Sequence, residues 1–133
     1  VQRRREVFET YRQALTGVDG IEWMQEPPGC VSTRWLSCLV LRGPGAQARR
    51  DAVLRRLERH AIEARPVWKP MQLQPLYAGA PFFPHADGAD VSASLFEAGL
   101  CLPSGSNLSA AQLDRVIEHL RHALAATASH ALA

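Results

Sequence analysis

The stretch DVSASLFEAGLCLPSGSNLSAAQLDRVIEHLRHAL, residues 90–124, contains the clearest signals of secondary structure in the chain. Asp90 is a suitable N-cap for a short helix over residues 91–98, which Gly99 would end. A brief apolar strand over residues 100–103 comes directly afterwards. A helix that leads immediately into a strand predicts a sheet with helices packed against it.

The last helix has a complete start signal. Ser109 at the N-cap and Gln112 three residues later form a capping box, while Leu108 and Leu113 form a hydrophobic staple. After Ala125 the helical pattern is lost, and we expect the tail to fray. The predicted buried stripe consists of Leu113, Val116, Ile117, Leu120 and Leu124.

Further elements are predicted on the N-terminal side of this stretch. The apolar spacing indicates helices over residues 3–15 and 47–61, and strands over 21–24, 34–41 and 62–68. The strand over 34–41 is apolar on both faces, which predicts a central position. Pro66 places the third strand at an edge or at a bulge. The expected fold is an α/β two-layer (α+β) domain, in which helices cover a small sheet of three to four strands.

Composition bounds the classes of function. The chain has 133 residues, 47% of them hydrophobic and 21% charged, which predicts one folded domain over 1–133 rather than a disordered chain. A net charge of only +2 disfavours a nucleic-acid-binding module. No apolar run approaches the about 20 residues of a membrane span. Cys38 and Cys101 lie in apolar runs without a CxxC pair, so we expect small core residues in a cytoplasmic protein.

Three groups of residues are weak candidates for chemistry. His119 and His122 have a metal-ligand spacing, but they are expected on the solvent side without a third ligand, so we predict no metal site. The serines around Gly105 indicate either an anion site or, preferably, a turn before a capped helix. Five arginines of the second helix are expected to form a solvated face rather than a phosphate-binding surface: Arg49, Arg50, Arg55, Arg56 and Arg59.

The segment ARPVWKPMQLQP, residues 64–75, is the strongest candidate for ligand binding. Its prolines restrict the backbone, so its side chains can be presented with little loss of entropy. Arg offers a fork for phosphate or carboxylate, Lys a point charge, and Trp a face for stacking. The alternative is an irregular edge with a packed Trp. The candidate substrate-binding residues are Arg65, Trp68, Lys69, Gln72 and Gln74.

Together with LFEAGLCLPSGSNLSAAQLDRVIEHLR, residues 95–121, this segment resembles the C-terminal part of the DegT/DnrJ/EryC1/StrS family. These are pyridoxal-phosphate-dependent aminotransferases that act on nucleotide-linked keto-sugars. The opening RRREVFETYRQAL, residues 3–15, resembles the helix that leads out of the large domain of these enzymes. The form RPVWKPM is most similar to the branch that acts on UDP-linked 4-keto-6-deoxy-N-acetylhexosamines.

The resemblance implies that the chain is the small domain of a longer enzyme and is inactive alone. Residues 1–16 would form a connecting helix and residues 69–90 a substrate-side loop. The cofactor lysine would lie outside this chain, since Lys69, the only lysine, belongs to the WKPM motif. Pyridoxal phosphate, glutamate as amino donor, a nucleotide-sugar acceptor and a homodimer are implied for the complete enzyme, with no catalytic residue in this part.

The resemblance also assigns roles within the candidate segment. Arg65 and Lys69 would lie near the negative charge of the sugar nucleotide, and Trp68 would shape the pocket. Gln72 and Gln74 would offer hydrogen bonds. Many relatives have histidine at the position of Gln72. Glutamine retains the capacity for hydrogen bonding but cannot titrate, so an acid–base or ionic role of this position is not carried over to this chain. A different class remains open, namely a stand-alone α/β ligand-binding or regulatory module that shares ancestry with this domain.

Overall fold

The four-stranded sheet forms from the most apolar short runs of the chain. In a computed structural model, which describes residues 1–128, the strand order is β1-β2-β4-β3, and each neighbouring pair is antiparallel. The strands are β1 (Ile21–Trp23), β2 (Ser37–Leu41), β3 (Arg65–Pro66) and β4 (Gly99–Leu102). The predicted two-layer α+β fold is confirmed, as are the central position of β2 and the edge position of the strand with Pro66.

Three of the four α-helices within residues 1–128 contribute side chains to one core that packs against this sheet. Leu39 and Leu100 are paired across β2 and β4, so they share a face, and both are fully buried in the main core. Leu57 and Leu120 bring the two longest helices into the same core. Burial of such large apolar side chains supplies most of the stabilisation of a domain of this size. The α-helices are α1 (Gln2–Ala14), α2 (Ala46–Arg59), α3 (Val91–Ala98) and α4 (Ala110–Ala128), and short 3₁₀ helices lie at Met71–Leu73 and Pro75–Tyr77.

Both predicted helix caps are confirmed. The Asp90 carboxylate accepts a hydrogen bond from the Ala93 amide at 2.8 Å. At α4, the Gln112 backbone amide donates to Ser109 Oγ at 3.2 Å, and the Ser109 backbone amide donates to Gln112 Oε1 at 2.9 Å. These reciprocal bonds satisfy amides that lack partners within the helix. The whole predicted stripe of α4 is buried.

Two predicted strands are shorter than expected, because backbone geometry interrupts them. Arg34 has a left-handed φ of 48°, so β2 begins only at Ser37. Trp35, which was expected inside the strand, is 62% exposed. The strand predicted over 62–68 is reduced to β3, since Pro66 has no amide hydrogen to donate to a ladder.

The boundaries of two helices also differ from the predictions. α2 ends at Arg59, and Ala61, which was expected in its buried stripe, is exposed with a left-handed φ of 52°. α4 continues to Ala128, beyond Ala125. The remainder of the predicted fraying tail, residues 129–133, lies outside the described residues. None of the helices within residues 1–128 combines the length and apolar content needed to cross a membrane.

Candidate functional site

An open groove of about 730 Å³ lies beside β3, at the edge of the sheet. One wall is the segment 63–69, which includes β3. The other walls are residues 35–36 before β2, residues 101–104 at the end of β4, and Phe96 of α3. Clefts of this size hold small-molecule ligands in proteins. We call this feature the edge groove.

Two tryptophans from distant parts of the chain meet in the edge groove. The rings of Trp35 and Trp68 are stacked, with centroids 5.7 Å apart and planes 28° from parallel. Trp68 remains 64% exposed, and Trp35 is similarly open. The Trp35 carbonyl accepts a hydrogen bond from the guanidinium of Arg4 in α1 at 2.6 Å, which positions this loop. The pair therefore presents solvated indole surface on which a planar ring can stack.

The charged residues of the edge groove are exposed. Arg65 Nε donates to Glu63 Oε1 at 2.9 Å, and both side chains are about three-quarters accessible to solvent. An exposed ion pair of this kind contributes little to stability, so Arg65 can exchange Glu63 for an anionic ligand. Lys69 lines the same groove, and no salt bridge to it is found within residues 1–128. The groove thus offers a guanidinium fork and an ammonium group near an aromatic face.

Gln72 and Gln74 lie outside the edge groove and bond within the chain. Gln72 Nε2 donates to Asp90 Oδ2 at 2.9 Å and to Ser92 Oγ at 2.6 Å. The bond from Gln72 is the largest cause of the lowered pKa of Asp90, followed by the bond from the Ala93 amide. Gln74 Nε2 donates to the Lys69 carbonyl at 3.2 Å. In this structure the two glutamines hold the segment after Lys69 in place.

Of the five predicted binding residues, Arg65, Trp68 and Lys69 therefore come together in the edge groove. The sequence interpretation missed Trp35 and Phe96 as groove residues. Trp35 was assigned to a strand interior from its apolar surroundings. The strand is interrupted by the left-handed backbone of the preceding Arg34. Local sequence contains no signal for this conformation, because arginine rarely adopts it.

The prediction that His119 faces water is wrong. Its ring stacks on that of His60, with centroids 3.8 Å apart, where the end of α2 packs against α4. Burial, His119 and nearby arginines together lower the pKa of His60. His122 is exposed, as expected. Within residues 1–128, no three His, Cys, Asp or Glu side chains are grouped so that they could hold a metal ion.

Arg50 does not belong to the solvated face on which it was predicted. It is 6% exposed, and its guanidinium donates to Asp51 Oδ1 and to the Phe96 carbonyl. The bond to the Phe96 carbonyl connects α2 to α3 at a residue that lines the groove. Arg55 and Arg59 are exposed, as predicted. Local sequence does not distinguish an arginine that bonds to a neighbouring helix from one that is exposed to solvent, so the burial of Arg50 could not be predicted.

The serine-rich segment after β4 is a turn, as preferred from the sequence. The Leu108 amide donates to the Gly105 carbonyl at 3.1 Å. Ser104 is 4% exposed, and its hydroxyl accepts from the Ser37 amide and donates to the Leu102 carbonyl, each at 2.7 Å. Because the single hydrogen of this hydroxyl is donated within the chain, the Ser104 side chain has no donor left for an anion.

The structure is thus an α+β domain with an open groove at the edge of its sheet. A profile of the DegT/DnrJ/EryC1/StrS aminotransferase family matches residues 1–121. The chain therefore belongs to the DegT/DnrJ/EryC1/StrS aminotransferase family.

Individual relatives agree with this assignment. The putative pyridoxal phosphate-dependent aminotransferase EpsN of Bacillus subtilis is 43% identical over 122 residues, which cover 92% of this chain and 31% of EpsN. GDP-perosamine synthase of Caulobacter vibrioides is 35% identical over 82 residues, which cover 62% of this chain and 21% of the synthase. The crystal structure of the aminotransferase TlmJ from Streptoalloteichus hindustanus superposes with a TM-score of 0.79 at 30% identity, covering 96% of this chain and 32% of TlmJ. The chain thus spans about a third of the length of EpsN and TlmJ.

Pyridoxal phosphate, the cofactor of such enzymes, requires a lysine in a desolvated site and an acidic partner for its ring nitrogen. Lys69 is the only lysine of the sequence, and it is exposed at the rim of an open groove. Glu63, the carboxylate of that groove, is bound to Arg65. The described residues therefore do not fit this cofactor.

Proposed function

We propose that this chain is the C-terminal small domain of a pyridoxal-phosphate-dependent aminotransferase that transfers an amino group from glutamate to a nucleotide-linked keto-sugar. The observation that carries the proposal is the edge groove, in which an indole face lies beside Arg65 and Lys69. Membership of the aminotransferase family and the names of the sugar-enzyme relatives support the reaction class. The cofactor would be held by residues outside this chain.

The groove has the chemistry that a sugar nucleotide requires. The exposed Trp68 ring can stack on a planar base or cover an apolar sugar face. Arg65 can bind two phosphate oxygens at once after it releases Glu63, and Lys69 adds a second positive charge. The RPVWKPM motif supports a UDP-linked 4-keto-6-deoxy-N-acetylhexosamine as the acceptor.

The same proposal assigns the parts of the chain. Residues 1–16, which contain α1, would connect to the large domain, and residues 69–90 would lie on the substrate side. The complete enzyme would be a homodimer, and residues 1–133 alone would be inactive. Covalent attachment of pyridoxal phosphate to Lys69 in the isolated chain would contradict this assignment.

The decisive test is Arg65→Ala in the complete enzyme, of which residues 1–133 would form the small domain. The loss of a charged hydrogen bond costs about 1.5–3 kcal/mol, so we expect KM for the nucleotide sugar to rise by about tenfold or more. KM for glutamate should stay unchanged. Arg55→Ala, an exposed arginine of α2 outside the groove lining, is the matched control. Equal effects of Arg65→Ala on both substrates, or no effect on either, would refute the assigned role of the groove.

A further inference from the structure

Cys38 and Cys101 form a pair of facing thiols across the two central strands. They are direct partners in the antiparallel ladder of β2 and β4, and their Sγ atoms are 3.5 Å apart. Cys101 is 8% exposed and lines the edge groove, while Cys38 is half-buried. The pairing was not expected from the sequence, where each cysteine was interpreted as a separate small core residue.

The backbone hydrogen bonds show which type of ladder position the pair occupies. The Cys38 carbonyl accepts from the Met24 amide on the β1 side at 3.4 Å. The Gly99 carbonyl accepts from the Val67 amide on the β3 side at 3.1 Å. Cys101 lies two residues after Gly99 on the same strand, so its backbone groups also point toward β3. Since both residues direct their backbone bonds away from each other, they form a non-hydrogen-bonded pair. The Cα atoms of such pairs are about 4.5 Å apart, within the range that a disulfide spans.

We propose that Cys38 and Cys101 are a redox-active pair, which a peroxide converts into a cross-strand disulfide beside the edge groove. The Cys38 thiolate attacks one oxygen of hydrogen peroxide, the O–O bond breaks, and water leaves after protonation. The Cys101 sulfur then attacks the oxidised Cys38 sulfur, the S–S bond forms and the S–O bond breaks, releasing a second water. Two thiols thereby lose two electrons and two protons, and one peroxide is reduced to two waters.

The surroundings favour Cys38 as the attacking sulfur. The hydrogen-bond contact with Cys101 is the largest cause of the lowered pKa of Cys38, and the positive charge of Arg34 acts in the same direction. The same contact raises the pKa of Cys101, which keeps its proton until the second step. A low-pKa thiol next to a resolving thiol is the arrangement found in redox-sensing sites. This inference does not depend on the proposed transfer reaction.

The test uses the 133-residue chain with Cys30→Ser, because Cys30 is exposed and would react independently. After treatment with hydrogen peroxide we expect the intact mass to fall by two hydrogen atoms and both thiols to become unreactive. Peptide mapping should find one peptide linking Cys38 to Cys101, and dithiothreitol should restore both thiols.

Variants that carry Cys38→Ser or Cys101→Ser in the same background are the matched controls. Each should gain oxygen atoms and never lose hydrogen, because the remaining sulfur has no partner. Should either serine variant lack native circular dichroism, alanine replaces serine at that position. Free glutathione, treated in parallel, shows that the peroxide is active. The proposal is refuted if the Cys30→Ser chain only gains oxygen or forms linked dimers. It is also refuted if the chain keeps both thiols under conditions in which glutathione is oxidised.

Discussion

Ser104→Ala tests whether one buried hydroxyl holds β2 and the end of β4 together. The hydroxyl accepts from the Ser37 amide and donates to the Leu102 carbonyl, each at 2.7 Å, and Ser37 is fully buried. Alanine has almost the same volume, so packing is retained while the Ser37 amide loses this acceptor. An unsatisfied buried donor costs about 1–3 kcal/mol, and we therefore expect a loss of about 2 kcal/mol in the free energy of unfolding.

This loss can be expressed as a temperature. At about 2.1 cal/mol/K per residue, a domain of this size has an unfolding entropy of about 0.28 kcal/mol/K, so Tm should fall by about 7 °C. Urea unfolding and thermal unfolding, both followed by circular dichroism, give the two quantities independently. Ser106→Ala, an exposed serine of the same turn, is the control and should stay within about 0.5 kcal/mol of the parent chain. Equal midpoints for the two variants would refute the reasoning.

Two further predictions concern the end of α2. Ala61→Gly removes the strain of a left-handed alanine and should raise the free energy of unfolding by about 0.5–1 kcal/mol. As a control, Ala52→Gly in the middle of α2 should lower it by about 1 kcal/mol. Urea midpoints that shift in the same direction for both variants would contradict this prediction. Because folding lowers the pKa of His60, its neutral form is favoured, so its contribution to stability is complete above about pH 6.5 and is lost as pH falls below that value. His60→Phe, which retains a ring against His119, should flatten the urea midpoint between about pH 7 and about pH 5; an unchanged slope would count against the role of this stack.

The sequence predicted best those elements whose signals are local. Asp90 and Ser109 each bond to amides within three residues, so the starts of α3 and α4 could be identified without knowledge of the fold. The edge position of β3 followed from the missing amide hydrogen of Pro66. By contrast, the late start of β2 depends on the left-handed backbone of Arg34, which no residue type nearby requires.

The candidate site was predicted only in part, for a related reason. Arg65, Trp68 and Lys69 lie within one short segment bounded by prolines, and their composition alone indicated a ligand-binding function. Trp35 and Trp68 come from segments that the sheet brings together, and the contact of Cys38 with Cys101 joins positions 63 residues apart. Such contacts are determined by strand register, which is fixed by the whole sheet rather than by the residues themselves.

The position of β3 at the edge of the sheet has a consequence for how this domain can change. Arg65 and Trp68 project from the outermost strand and the residues after it, and both are largely exposed, so substituting them removes little buried apolar area. The core beneath, built by Leu39, Leu57 and Leu100, does not depend on them. Single substitutions at these two positions can therefore alter the charge and shape of the groove rim at almost no cost in folding free energy.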